Sequence, residues 1–237
     1  MKTVSQNKFW FVPGLTMAAL AFASPAYSHE GTEIEIEVED GNVLELHGPA
    51  ILHDHEHFGF INAGGSWETN HDGNTWPGFD AHLGSAHANV NFDLIAETPL
   101  YYWDGASSGF TPMTGDTAIR LSHGGNNLDI TGQSGSQTFS NLVSTDSNGN
   151  IHSHRLWQLI GDDGEPADGA YLIGIRMDAD GYEASNLQGI LFHKGLDHEQ
   201  YELAENLALA VIPEPASLAL VGLGGAAMLL RRRRASV

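Results

Sequence analysis

The chain has no cysteine among its 237 residues. That excludes a disulfide framework, a thiolate nucleophile and any metal site built on sulfur. Basic residues are scarce too, ten Lys and Arg against thirty Asp and Glu. Six of the ten lie at the ends, Lys2 and Lys8 near the start and Arg231, Arg232, Arg233 and Arg234 near the finish. Residues 29–212 keep only Arg120, Arg155, Arg176 and Lys194. So acidic a surface repels nucleic acid and anionic lipid and draws in cations, although solubility of an exported protein would also account for it. Familiar enzyme motifs are missing as well: no His-Glu-x-x-His, no Gly-x-Ser-x-Gly and no phosphate-cradling loop occurs. Cupins need a glutamate four or five residues past their second metal-binding histidine. Counted from His55, those places hold Gly59 and Phe60.

Long helix-forming runs are also rare. What remains is a chain of short alternating segments punctuated by glycine, asparagine and aspartate. In 32–39, Ile34, Ile36 and Val38 alternate with Glu33, Glu35, Glu37 and Glu39, which predicts a half-buried strand whose glutamate row blunts a sheet edge. Asp40-Gly41 then turns it into a return strand at 43–46. Further strands are expected at 90–95, 100–103, 118–122, 128–131, 138–144, 151–160, 170–177 and 189–193, with 62–89 a long loop holding short strands. Helical spacing is confined to 197–210, through Leu196, Leu203, Leu207 and Ala210. The fold class implied is all-β, an antiparallel β-sandwich or jelly-roll-like domain with one short C-terminal helix.

Thirteen histidines carry most of the available chemistry. His53-Asp54-His55-Glu56-His57 alternates imidazoles with carboxylates, and in a strand the three imidazoles would share one face. His152 and His154 form a second same-face pair. The two groups on neighbouring strands would offer a cation several neutral imidazoles, with Asp54 and Glu56 as auxiliary oxygens and His47 within reach at a strand end. Zinc accepts three or four such ligands, and copper(II) would too. His71, His82, His87, His123 and His193, taken singly, read as ordinary surface or core residues. The acidic turns Asp162-Asp163-Gly164 and Asp178-Ala179-Asp180-Gly181 lack the spacing of a calcium loop.

The two ends read as addresses. Lys2 and Lys8, an apolar stretch from Phe9 to Phe22 and small residues after it have the layout of a secretory signal peptide, 1–28. Signal peptidase could cut after Ala23, Ala26 or Ser28; the last would expose His29, whose amine and imidazole together could chelate copper. At the far end Pro213-Glu214-Pro215 precedes an apolar run, Ser217 to Leu230, and then the four arginines. This order and spacing resembles the PEP-CTERM sorting signal. The resemblance implies an expected hydrophobic sorting helix in 213–237, transient insertion in the inner membrane, removal of the tail by an exosortase, and display at the surface or in the matrix of a Gram-negative bacterium.

The intervening domain, 29–212, resembles the histidine-rich subset of PEP-CTERM proteins that is repressed by the zinc-uptake regulator. The likeness rests on His53 to His57, Ile151-His152-Ser153-His154, Gly169-Ala170-Tyr171-Leu172 and Gly195-Leu196-Asp197-His198-Glu199. It implies zinc binding under zinc scarcity. The expectation is an exported, surface-associated zinc-binding protein with His47, His53, His55, His57, His152 and His154 as ligands. A metal-dependent hydrolase or oxygenase and an exopolysaccharide-matrix adhesion protein are the alternatives.

Overall fold

A computed structural model describes residues 33–71, 73–161 and 165–212. The leader, Asp162-Asp163-Gly164 and the sorting tail lie outside the described residues. Hydrophobic alternation sets the strands. In chain order the first are β1 (Glu33–Glu39), β2 (Val43–His47), β3 (Ile51–His53), β4 (Ile61–Ala63), β5 (Ser66–Glu68), β6 (Asn70–His71), β7 (Asn74–Thr75) and β8 (Gly78–His82). A single 3-10 turn, Ser85–His87, leads to β9 (Asn91–Ala96), β10 (Tyr101–Trp103), β11 (Thr111–Pro112), β12 (Ala118–His123), β13 (Asn126–Thr131) and β14 (Gln137–Ser144). Then come β15 (Asn150–His154), β16 (Leu156–Ile160), β17 (Gly169–Asp178), β18 (Gln188–Lys194) and the helix α1 (His198–Ala208). The protein is thus mostly β-sheet, with one short helix late in the described chain.

Three sheets enclose the core. The largest runs β11-β10-β17-β18-β3, with β9 joining the second half of β17 and carrying β14. A second runs β13-β12-β16-β5-β4, and a third β15-β8-β1-β2. Each contributes one inner face to a shared apolar cluster that includes Ile34, Ile36, Phe79, Leu121, Trp157, Tyr171, Ile173 and Phe192. The large sheet is apolar on both faces. Tyr171 and Ile173 point into the main cluster, while Ala170 and Leu172 between them pack with Leu191, Tyr201, Ala204 and Ala208 under α1.

The helix begins where expected. The Asp197 carboxylate accepts from the Gln200 amide at 2.8 Å, and the Gln200 side chain accepts from the Asp197 amide, completing a capping box. Its buried face differs from the leucine stripe expected from spacing. Tyr201, Ala204 and Ala208 are buried, and Leu203 is 50 % exposed. Small alanines let the helix lie close on the sheet, and the Tyr201 hydroxyl donates to the Leu191 carbonyl.

Two strand expectations are corrected. The stretch 151–160 is two strands, not one. β15 pairs with β8, and after Arg155 the chain crosses to pair β16 with β12. The glutamate strand β1 is not an edge. It lies between β2 and β8, antiparallel to the first and parallel to the second, so its glutamates run down the middle of a sheet face.

Candidate metal centre

The sheet β15-β8-β1-β2 has two unlike faces. Ile34 and Ile36, Leu44 and Leu46, Phe79 and Ala81, and Ile151 go into the core. Period-two geometry therefore sends the residues between them outward: Glu33, Glu35, Glu37 and Glu39, Glu45 and His47, Asp80 and His82, His152 and His154. Register aligns these across strands. His152 stands opposite Asp80, and Asp80 opposite Glu35, which stands opposite His47. His154 stands opposite Gly78, and Gly78 opposite Glu33.

That last row explains why a glycine begins β8. With no side chain at Gly78, His154 and Glu33 reach toward each other across the intervening strand. A Cβ there would lie 2.9 Å from both Cε1 and Nδ1 of His154 and 3.4 Å from Glu33 Oε1. In the resulting hollow, Glu33, His152 and His154 bring ligand atoms within 4.8 Å of one another, the one such group found among the described residues. Glu33 Oε1 is 3.8 Å from His154 Nε2 and 3.8 Å from His152 Nδ1, and Asp80 Oδ1 is 3.5 Å from His152 Nδ1. Ligand atoms about 2.0–2.2 Å from a tetrahedral zinc stand about 3.3–3.6 Å apart, so modest inward movement would close them on an ion.

Hydrogen bonding orients His154 for a cation there. His154 Nδ1 lies 2.9 Å from the Thr75 carbonyl oxygen, which can only accept. The neutral ring therefore carries its proton on Nδ1, and the Nε2 lone pair faces the Glu33 carboxylate. Either a second ring proton or a bound cation can stand between that nitrogen and the carboxylate oxygen, and only the cation makes the histidine a ligand. A backbone carbonyl holding the second ring nitrogen is the usual support of a metal-bound histidine. Trp76 meets His154 edge to face, with ring centroids 4.9 Å apart, and further fixes the ring. Glu33 and Asp80 are largely buried, with side chains 14 % and 12 % exposed, so their charges are poorly screened by water.

Among the described residues no lysine or arginine forms an ion pair with Glu33 or Asp80. Arg120 pairs with Asp129 at 2.6 Å, Arg155 donates to Leu142 O, Arg176 to Ser185 O and Lys194 to Asp168. Three of these are engaged elsewhere, and Arg155, which also donates to the His154 backbone carbonyl at 3.1 Å, forms no ion pair with Glu33 or Asp80 among the described residues. Glu37 and Glu45 stand directly opposite one another, an arrangement that ordinarily destabilises a sheet. Burial, a hydrogen bond with Glu39 and the charges of Glu39 and Glu37 push the Glu45 carboxyl up from the ordinary glutamate range.

The other histidines expected as ligands are placed differently. Only His53 of the 53–57 run is in a strand, so the three imidazoles do not share a strand face. Asp54 ends β3 locally. Its Oδ1 accepts from the amides of Glu56 at 2.8 Å and His57 at 2.9 Å, a side-chain turn that competes with strand pairing. His53 Nε2 meets Glu205 Oε1 of α1 at 3.1 Å. His55 stacks on His193 with ring centroids 4.7 Å apart, beside His198 and Tyr201. His57 contacts Trp76, as His154 does, so this indole touches both histidine regions. His47 is on the outer face, with Nδ1 3.6 Å from Glu37 Oε2.

Sequence reasoning missed Glu33 and Asp80. Glu33 was hidden in a row that reads as a charged outer face. Asp80 was hidden in a polar stretch read as loop, although Phe79 and Ala81 alternate with Asp80 and His82 across β8. Asp178 ends β17, where its carboxylate accepts from the amide of Ala179, and the chain turns over Ala179-Asp180-Gly181 with the Tyr182 amide donating to the Ala179 carbonyl. His71 has no described side chain.

The fold and this face together define an all-β, sandwich-like protein with a histidine–carboxylate cluster able to hold a metal ion. Residues 211–234 match the PEP-CTERM protein-sorting motif. The chain therefore carries that sorting signal, which marks a secreted protein directed toward the cell surface with an exosortase as its processing partner. No curated protein matches the chain. Among the described residues no helix is long and apolar enough to cross a membrane; the apolar run from Ser217 to Leu230 lies outside them.

Proposed function

We propose that the protein binds zinc on its outer sheet face and serves at the cell surface to scavenge or buffer the ion. The observation that carries this is the hollow over Gly78, where Glu33, His152 and His154 converge and Nε2 of His154 faces a carboxylate. Nitrogen and oxygen donors without thiolate suit zinc and also copper(II). The histidine-rich resemblance favours zinc. Asp80 stands ready as a further ligand or as support for His152. In this reading a signal peptidase removes the leader, the C-terminal run anchors the chain transiently in the inner membrane of a Gram-negative cell, and exosortase processing releases it.

Titration of the chelator-stripped full chain with zinc tests the reading. Binding at about micromolar or tighter is expected, worth about 8 kcal/mol, and the double variant H152A/H154A should lose it. No binding tighter than about 1 mM would overturn the proposal.

A further inference from the structure

The carboxylate of Asp80 faces two histidines, one with each oxygen. Oδ1 is 3.5 Å from His152 Nδ1, and Oδ2 is 3.4 Å from His82 Nε2. Asp80 is also among the few buried charged residues of the domain, at 9 % exposure. An anion so placed is costly unless compensated on both sides.

His82 repeats the chemistry of His154 one step along the sheet. Its Nδ1 lies 3.2 Å from the Asn150 side-chain oxygen, which holds the ring from behind and leaves Nε2 on the side of Asp80. Nε2 of His82 thus faces Asp80 Oδ2, as Nε2 of His154 faces Glu33. Beside this pair is a concavity of about 500 Å³ lined by Glu35, Glu37, Asp80, His82 and His87. Of these, His87 is held from behind by an Nδ1 contact to the Tyr182 hydroxyl at 2.7 Å. Glu35 and Glu37 project from β1 on the same face, and among the described residues no lysine or arginine lines the concavity.

We infer that Asp80 is a bridging carboxylate between two cation positions, the second formed by Asp80 Oδ2, His82 Nε2 and a glutamate oxygen from Glu35 or Glu37, so that one chain takes up two divalent ions. The inference rests on the reading of Glu33, His152 and His154 as the first position. A glutamate would close the second by rotating its side chain into the concavity. A second ion would also offset charge further along the column of glutamates on β1, which a single ion beside Glu33 would not reach.

The test is metal stoichiometry. The full chain is stripped with chelator, loaded with excess zinc, desalted and analysed for zinc per chain, with thermal melting of the stripped proteins as a control for folding. Two ions are expected for the natural sequence, one for H82A and one for H152A/H154A. The His82 side chain is 72 % exposed, so its removal leaves the core intact. E35Q/E37Q, which keeps side-chain shape, should likewise fall to one. D80N should retain the fold and weaken both ions by about 10–100-fold. One ion in the natural protein overturns the second position and leaves the first standing. Two ions retained in both H82A and E35Q/E37Q also overturn it. No bound zinc at all overturns the first position together with the second.

Discussion

Substituting Gly78 by alanine separates binding from stability. The backbone there is an ordinary strand, so alanine brings no strain of its own. Replacing a strand glycine at a compatible position typically stabilises by about 0.4–1 kcal/mol through the unfolded chain. The new methyl would lie 2.9 Å from two atoms of the His154 ring, closer than carbon tolerates. The ring must rotate away. Rotation breaks the Thr75 contact, worth about 1 kcal/mol, and turns Nε2 off the Glu33 carboxylate. The two effects on folding nearly cancel, so the stripped G78A protein should melt within a few degrees of the natural one. Zinc binding has no such compensation. Loss of the support that orients a ligating histidine costs about 10–100-fold in metal affinity, or about 1.4–2.7 kcal/mol. Competition titration against a chelator of known affinity measures the first quantity and a thermal melt of the metal-free protein the second. Unchanged zinc affinity in G78A would refute the argument that the hollow over Gly78 is the site.

Three further outcomes follow from the same face and its supports. Protonated imidazole cannot ligate, so zinc affinity should fall on acidification from pH 7 to 5; a flat profile over that range would count against imidazole ligands. Glu45 has its folded carboxyl held up by burial and by Glu39 and Glu37. A raised folded value leaves no penalty in acid, where both states are protonated, and imposes one as pH rises through that value. E45Q should therefore raise metal-free stability by about 0.2–1 kcal/mol at pH 7, with the gain vanishing in acid below the ordinary glutamate range; denaturant melts at pH 7 and pH 3.5 would show it. Tyr201 donates to Leu191 O and accepts from the Asp54 amide at 3.1 Å. Y201F would leave both groups unpaired under α1 and should lower stability by about 1–3 kcal/mol by urea melt, with zinc affinity at Glu33, His152 and His154 unchanged.

Periodicity made much of this fold legible. The alternation in 32–39 located β1 and its return strand, and the pairing of His152 with His154 on one strand face follows from the same rule. Three things were beyond a linear reading. Strand neighbours are set by long-range packing, so nothing local in Glu33 to Glu39 announces β8 on one side and β2 on the other. Without that, the glutamates look like solvent-facing charge instead of the partners of histidines distant in sequence. A break such as Arg155, where the chain leaves one sheet for another, is invisible when hydrophobic residues continue on both sides. Asp54 is the third case. Its side chain captured the amides of Glu56 and His57, and this local hydrogen bonding outcompeted the strand that would have aligned His53, His55 and His57. The one cue that could have exposed the centre was Gly78-Phe79-Asp80-Ala81-His82, a short alternating strand beginning with a glycine and carrying two potential ligands outward.

The central claim is the position of the ion, and X-ray diffraction at the zinc absorption edge on zinc-loaded crystals measures that directly. The account predicts an anomalous peak about 2.0–2.2 Å from Nε2 of His154, a ring nitrogen of His152 and a carboxylate oxygen of Glu33. A peak placed instead among His53, His55 and His57, with the hollow over Gly78 empty, would contradict it.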